Sequence, residues 1–188
     1  MKKTLVLLAC LMALAISAAA QNQINFAGLP LVSSPMPVPG GYDGFTWTNI
    51  LYVDPAEWQS AGSGYRLAGN PNQDVAFVGG ATCLIPSRGE HCFGSISVSS
   101  TILQGGVNDP LTFQLLSATV AGGFGPTSIT VVAYNNGNFV GSANYNLTGN
   151  LQTINFPSSW GGVTEVTFET AAMGDLVIYN LQAYFILG

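Results

Sequence analysis

From Gln21 onward, alternation of apolar and polar residues with period two recurs along the chain, and no stretch of a dozen residues there shows the three-and-four spacing of an amphipathic helix. That alternation is the strongest constraint on the fold, because only a strand sends successive side chains to opposite faces. In Thr164-Glu165-Val166-Thr167-Phe168-Glu169, Val166 and Phe168 face a core while both glutamates and Thr167 face water. One wet face is the mark of an antiparallel sheet in a sandwich. The pattern predicts strands at Phe45–Val53, Leu111–Val120, Thr127–Tyr134, Asn138–Tyr145, Leu151–Phe156, Val163–Thr170 and Leu176–Phe185. Fainter signals fall at Gln23–Phe26, Val75–Val78 and Ser95–Ile102. Asn135-Asn136-Gly137 stands between two alternating runs, and Asn and Gly accept the positive φ values of a tight hairpin. The stretch from Pro30 to Tyr42, rich in Pro, Ser and Gly, reads as a long ordered loop. Short strands broken by Gly and Pro point to an all-β fold, an antiparallel two-sheet β-sandwich of jelly-roll type.

The first twenty residues are of another kind. Lys2 and Lys3 precede an apolar run from Leu5 that ends in Ala18-Ala19-Ala20, which reads as a cleaved secretory signal peptide too short to span a membrane comfortably. Residues 1–20 are thus expected to leave, and 21–188 to form a single domain, secreted or, in a Gram-negative cell, periplasmic. The chain closes directly after its last strand signal, so no anchor or sorting tail is expected. Cys10 lies inside the apolar run and is read as part of the signal.

Both lysines go with that segment. The cations left are Arg66 and Arg88 against nine carboxylates, so the formal charge moves from −5 to 2 − 9 = −7. Nucleic acid, sulfated polyanions and anionic membranes all require clustered Lys and Arg, and this composition argues against each of them. Cys83 and Cys92, the remaining cysteines, are expected to form a disulfide in an oxidising compartment. A loop so short would contribute about 2–3 kcal/mol in the chain-entropy model.

Several segments carry a resemblance across nearly all of residues 21–188. They are Ile24-Asn25-Phe26-Ala27-Gly28-Leu29, Pro39-Gly40-Gly41-Tyr42-Asp43-Gly44-Phe45-Thr46-Trp47-Thr48-Asn49, Asp74-Val75-Ala76-Phe77-Val78-Gly79-Gly80, Val131-Val132-Ala133-Tyr134-Asn135-Asn136-Gly137 and Ile178-Tyr179-Asn180-Leu181. Together they resemble a family of secreted jelly-roll proteins, found with or without an exosortase-type Pro-Glu-Pro tail (the PEP-CTERM-associated type), whose folds are similar to carbohydrate-binding and galactose-binding-like modules. The resemblance implies a jelly roll and a binding rather than a catalytic role. Members usually carry acidic residues where Ala27-Gly28 stand and Asp where Tyr179 stands. Such acids hold a structural calcium in similar folds, so the departures here weaken that expectation. No cofactor is expected; a structural calcium is the alternative, drawn from the resemblance and from the loop carboxylates Asp54, Glu57, Asp74, Asp109 and Asp175, none of which forms a known ligand series.

Catalytic groups are scarce. His91 is the single histidine, in the loop between the cysteines, and no Gly-x-Ser-x-Gly elbow occurs. Glu165 and Glu169 share a strand face with backbones about 13 Å apart, which is wide for a hydrolytic carboxylate pair. Sugar binding is the sharper expectation, since a neutral polar surface with aromatic side chains suits polyhydroxylated ligands. Trp58 and Trp160 lie in breaks between strands, with Tyr65 and Arg66 as companions, and these four are the candidate ligand-binding residues. The bland alternative for both tryptophans is that they cover the ends of the sandwich. Asn146-Leu147-Thr148 is a glycosylation sequon, relevant if the source is eukaryotic. The sequence thus predicts a secreted, non-catalytic β-sandwich that binds carbohydrate at a cell surface or in an extracellular matrix. The second reading is a structural or adhesive protein that associates with itself or a matrix, and the third a glycoside-acting enzyme.

Overall fold

The computed structural model describes residues 21–58, 64–67, 74–79, 92–98, 102–104, 107–109, 111–171 and 174–186; for residues 57, 58, 66, 67, 102–104 and 107–109 it describes the backbone alone. The signal segment, Cys83, Arg88 and His91 lie outside the described residues.

The period-two pattern resolves into β1 (Asn22–Asn25), β2 (Met36–Pro37), β3 (Thr46–Thr48), β4 (Ile50–Val53), β5 (Val75–Val78), β6 (Phe93–Ser97), β7 (Ile102–Gln104), β8 (Val107–Asp109), β9 (Thr112–Gly122), β10 (Thr127–Asn135), β11 (Asn138–Leu147), β12 (Gln152–Asn155), β13 (Glu165–Thr170) and β14 (Leu176–Ile186). Among the described residues one sheet of seven strands runs β12-β9-β14-β5-β4-β2, with β1 also paired to β14. The opposing sheet of five runs β11-β10-β13-β6-β3, and β7 and β8 form a separate hairpin. All pairings are antiparallel. The chain changes sheet at most connections from β3 to β14, the crossing pattern of a jelly roll.

The predicted strands appear with ends moved by a few residues, apart from three differences, the first being that Ser95–Ile102 is divided between β6, which ends at Ser97, and β7, which Ile102 opens in the separate hairpin. Phe45–Val53 is not one strand: Asn49 adopts φ 52°, and the chain turns there from the five-stranded sheet into the seven-stranded one. The Pro30–Tyr42 loop also holds the short strand β2, paired to β4. The hairpin signal is confirmed, since Asn136 and Gly137 take φ 50° and 77° between β10 and β11.

Between the sheets lies the main core. Ile129, Val131 and Ala133 of β10, Val166 and Phe168 of β13, and Ile96 of β6 meet Phe113, Leu115, Ala118 and Val120 of β9 and Ile178 and Leu181 of β14. At one end Phe26, Tyr42, Phe45, Trp47, Phe113 and Phe185 join in an aromatic cluster of edge-to-face and stacked rings. The Trp47 indole donates to the Tyr42 carbonyl at 3.0 Å, so its one polar atom is satisfied inside the core. A second, smaller cluster lies on the far side of the seven-stranded sheet. There Val53, Val75, Phe77 and Val177 are covered by Tyr65 from the helical turn α1 (Gly64–Leu67). That explains why all four residues of β5 are buried: each of its faces has a cover. A fully buried Phe or Ile contributes about 1.5–3 kcal/mol.

Candidate functional site

With one face of the five-stranded sheet in the core, parity fixes what the other face shows. Three cross-strand rows follow from the register. The first is Asn144–Thr130–Glu169–Phe93, the second Ser142–Val132–Thr167–Ser95–Thr48, and the third Phe139–Tyr134–Glu165–Ser97–Thr46. The face is therefore a carpet of hydroxyls and amides, with two carboxylates and aromatic rings set among them. Phe93 is 55% exposed, an unusual position for a large apolar ring in a sheet of small polar side chains. Around it opens a hollow of about 340 Å³ lined by Thr48, Asn49, Phe93, Gly94, Ser95, Val132, Tyr134, Thr167 and Glu169.

Each wall has a local cause. Phe93 opens β6 beside Cys92, whose backbone is tied to the end of β13. The Cys92 N–H donates to Thr170 Oγ1 at 3.1 Å and its carbonyl accepts from the Thr170 N–H at 2.9 Å. Cys92 is buried and disulfide-bonded; Cys83, the partner expected from the sequence, lies outside the described residues. Gly94 lets the β3–β4 turn close on the hollow. A Cβ there would stand 2.9 Å from Ile50 Cγ1 and 3.1 Å from the Asn49 carbonyl oxygen, so a side chain would push that wall outward. Tyr134 flanks the hollow from β10 and meets the exposed Phe139 ring edge-on, with centroids 6.4 Å apart. Row one is braced where Thr130 Oγ1 donates to Asn144 Oδ1 at 2.8 Å.

Neither Trp160 nor Tyr65 lines this hollow. Trp160 is only 3% exposed; its ring stacks on Phe156 and lies beside Gly141 of β11, covering one end of the sandwich. Tyr65 is fully buried and donates its hydroxyl to Asp175 in a contact that fastens α1 to the start of β14. Apolar neighbours draw both rings inward in this fold. The side chains of Trp58 and Arg66 lie outside the described residues. Asn146 is exposed at the end of β11, its carbonyl accepting from the Gln152 side chain at 3.1 Å.

Phe93 and Tyr134 are the residues the sequence reading missed. Phe93 is in phase with Ser95 and Ser97 and out of phase with the core residues Ile96 and Val98; Tyr134 is in phase with Thr130 and Val132. A strand begun at Ser95 hides that signal, whereas one begun at Phe93 reveals it.

Two buried acids lie away from this face. Burial raises the Asp175 carboxyl to about 7, despite the stabilising hydrogen bonds from Tyr65 and the Leu176 N–H, and Asp175 Oδ1 has no hydrogen-bond partner among the described residues. Burial, with the charge of Asp54 adding to it, raises Asp74 to about 6. Among the described residues no group of three or more His, Cys, Asp or Glu side chains could hold a metal ion, and at the positions where the resembling family carries acids this chain has Ala27, Gly28 and Tyr179. Nor does any helix among the described residues have the length and apolarity to cross a membrane.

No family model matches the chain, and no curated protein matches it. Solved structures do. A DUF4465 family protein from Bacteroides caccae shares 11% identity over 93% of this chain and 96% of its own, with a TM-score of 0.46. TmCBM61, solved with β-1,4-galactotriose, shares 11% identity over 80% of this chain and 95% of its own, with a TM-score of 0.35. An agarase, AgWH50C, shares 7% identity over 86% of this chain but only 24% of its own, with a TM-score of 0.42. These are likenesses of sandwich architecture and carry nothing about a ligand.

Proposed function

We propose that the chain is a secreted, non-catalytic binding module whose ligand is a neutral glycan, held on the outer face of the five-stranded sheet. The observation that carries this reading is the exposed Phe93 ring in a hollow that it lines with Val132 and Tyr134 among the side chains of Thr48, Asn49, Ser95, Thr167 and Glu169. A sugar ring has an apolar face and a polar rim. Phe93 and Tyr134 supply surfaces for the former, while Thr48, Asn49, Ser95, Thr167 and Glu169 supply donors and acceptors for the latter. Among the described residues the hollow is lined by one carboxylate, Glu169, with Glu165 outside it. Two-carboxylate glycoside hydrolysis needs an acid and a base across one bond, so this arrangement favours binding over cleavage.

The test is binding of residues 21–188 to a panel of soluble and insoluble polysaccharides, with Phe93→Ala and Tyr134→Ala beside it. Loss of about tenfold or more in affinity is expected for Phe93→Ala, in line with the weight that buried aromatic anchors carry in recognition. Binding unchanged in both variants would remove the face from consideration. Depolymerisation of a bound glycan that ceases in Glu169→Gln would show an enzyme instead.

A further inference from the structure

The four short strands at the sheet edges are poor templates for another chain. β1 and β12 have four residues each, β3 has three before the turn at Asn49, and β2 has two, one of them Pro37. β5, with four, is paired on both sides, so it offers no edge at all. The other end of the five-stranded sheet is different. β11 runs for ten residues, Asn138–Leu147, without a charge or a proline, the two devices that usually blunt such an edge. Its last turn alone is closed, where the Gln152 side chain accepts from the Thr148 N–H and donates to the Asn146 carbonyl. From Phe139 to Tyr145 the main chain pairs with β10 on one side and makes no other backbone–backbone hydrogen bond among the described residues, while the Tyr145 hydroxyl donates to the Asn155 carbonyl at 2.9 Å. Phe139, at 65%, is among the most exposed large apolar side chains described, and Val140 beside it is exposed as well.

From this edge we infer that β11 is a docking strand for a second copy of the same chain, paired antiparallel about a two-fold axis near Ser142 and Ala143. Charge selects the occupant. The molecule is strongly acidic, yet from Pro110 to Thr164 it carries no charged residue, so two copies meet with least repulsion along this part of the surface. Gly141-Ser142-Ala143 is small enough for two backbones to come to sheet spacing, and the open stretch of seven residues, Phe139 to Tyr145, is about 24 Å long at the usual rise. Two five-stranded sheets then become one, with both outer faces on the same side. This inference rests on the fold and not on the glycan reading, and either one stands if the other fails.

Sedimentation velocity of residues 21–188 from low micromolar to near-millimolar concentration tests it. A reversible dimer is expected, and the double variant Ser142→Lys/Asn144→Lys, which sets like charges against each other across the axis, is expected to weaken it by about tenfold or more. The double variant Gly40→Lys/Ala56→Lys adds the same charge at exposed positions far from β11 and is expected to leave the dimer intact. Should the edge lysines disturb folding by circular dichroism, Ser142→Cys under mild oxidation is read instead, and a covalent dimer is expected. A chain monomeric at every concentration, a dimer indifferent to the edge lysines, or Ser142→Cys that stays monomeric when oxidised would each overturn the inference.

Discussion

Asp175 shows what a single side chain contributes at the residue scale. Its carboxyl is buried under Tyr65 and titrates near 7, far above its ordinary 3.8. A buried acid whose native pKa is raised binds its proton more tightly folded than unfolded. Its contribution is therefore full below the unfolded value and is lost as pH climbs through the native one. Asp74, raised to about 6, acts in the same direction. Thermal melting is accordingly expected to fall as pH rises from about 4 to about 7, with Asp175→Asn flattening the slope. A melting temperature that climbs over that interval would show that the acid is held as a stabilised carboxylate. Neither the burial of Asp175 nor that of Tyr65 is legible in sequence, because the residues lie 110 positions apart and meet only when α1 docks on the sheet. The same limit explains Trp160: its flanking glycines suggest an open loop, but the space beside Gly141 that receives its ring is a tertiary feature.

At the scale of elements, the alternation carried most of the information. β10, β13 and β14 are long enough for parity to state which side chains face the core, and the register of β13 against β6 then places Phe93 beside Glu169. What alternation cannot state is where a strand leaves its sheet. Thr46 to Val53 is one run of strand-forming residues, and the positive φ of Asn49 divides it between two sheets. The β10–β11 turn was legible because its chemistry is local. Gly137 holds φ 77°, where a Cβ is strained whatever space surrounds it, so Gly137→Ala is expected to cost about 1 kcal/mol. Urea unfolding checks this, and an unchanged midpoint would mean that the turn relaxes to another type. Gly94→Ala is expected to act differently. Its backbone is unstrained but its neighbours are close, so it should distort the hollow and reduce binding more than it reduces stability.

For the whole molecule, charge sets the outer limits. Residues 21–188 hold two arginines, no lysine and nine carboxylates, which excludes recognition by ion pairing with polyanions. Glycan binding on the proposed face is therefore expected to change by less than about twofold between low and physiological salt, unlike any interaction carried by charge. A steep loss with salt would contradict a neutral ligand. The measurement that bears most directly on the account is amide chemical-shift mapping of the isotope-labelled domain, titrated with a soluble oligosaccharide of a glycan that it retains. The account predicts shifts grouped on Thr48, Asn49, Phe93, Ser95, Thr167 and Glu169, on the outer face of the five-stranded sheet. Shifts grouped instead around Trp58 and Trp160 at the loop ends, with that face silent, would contradict it.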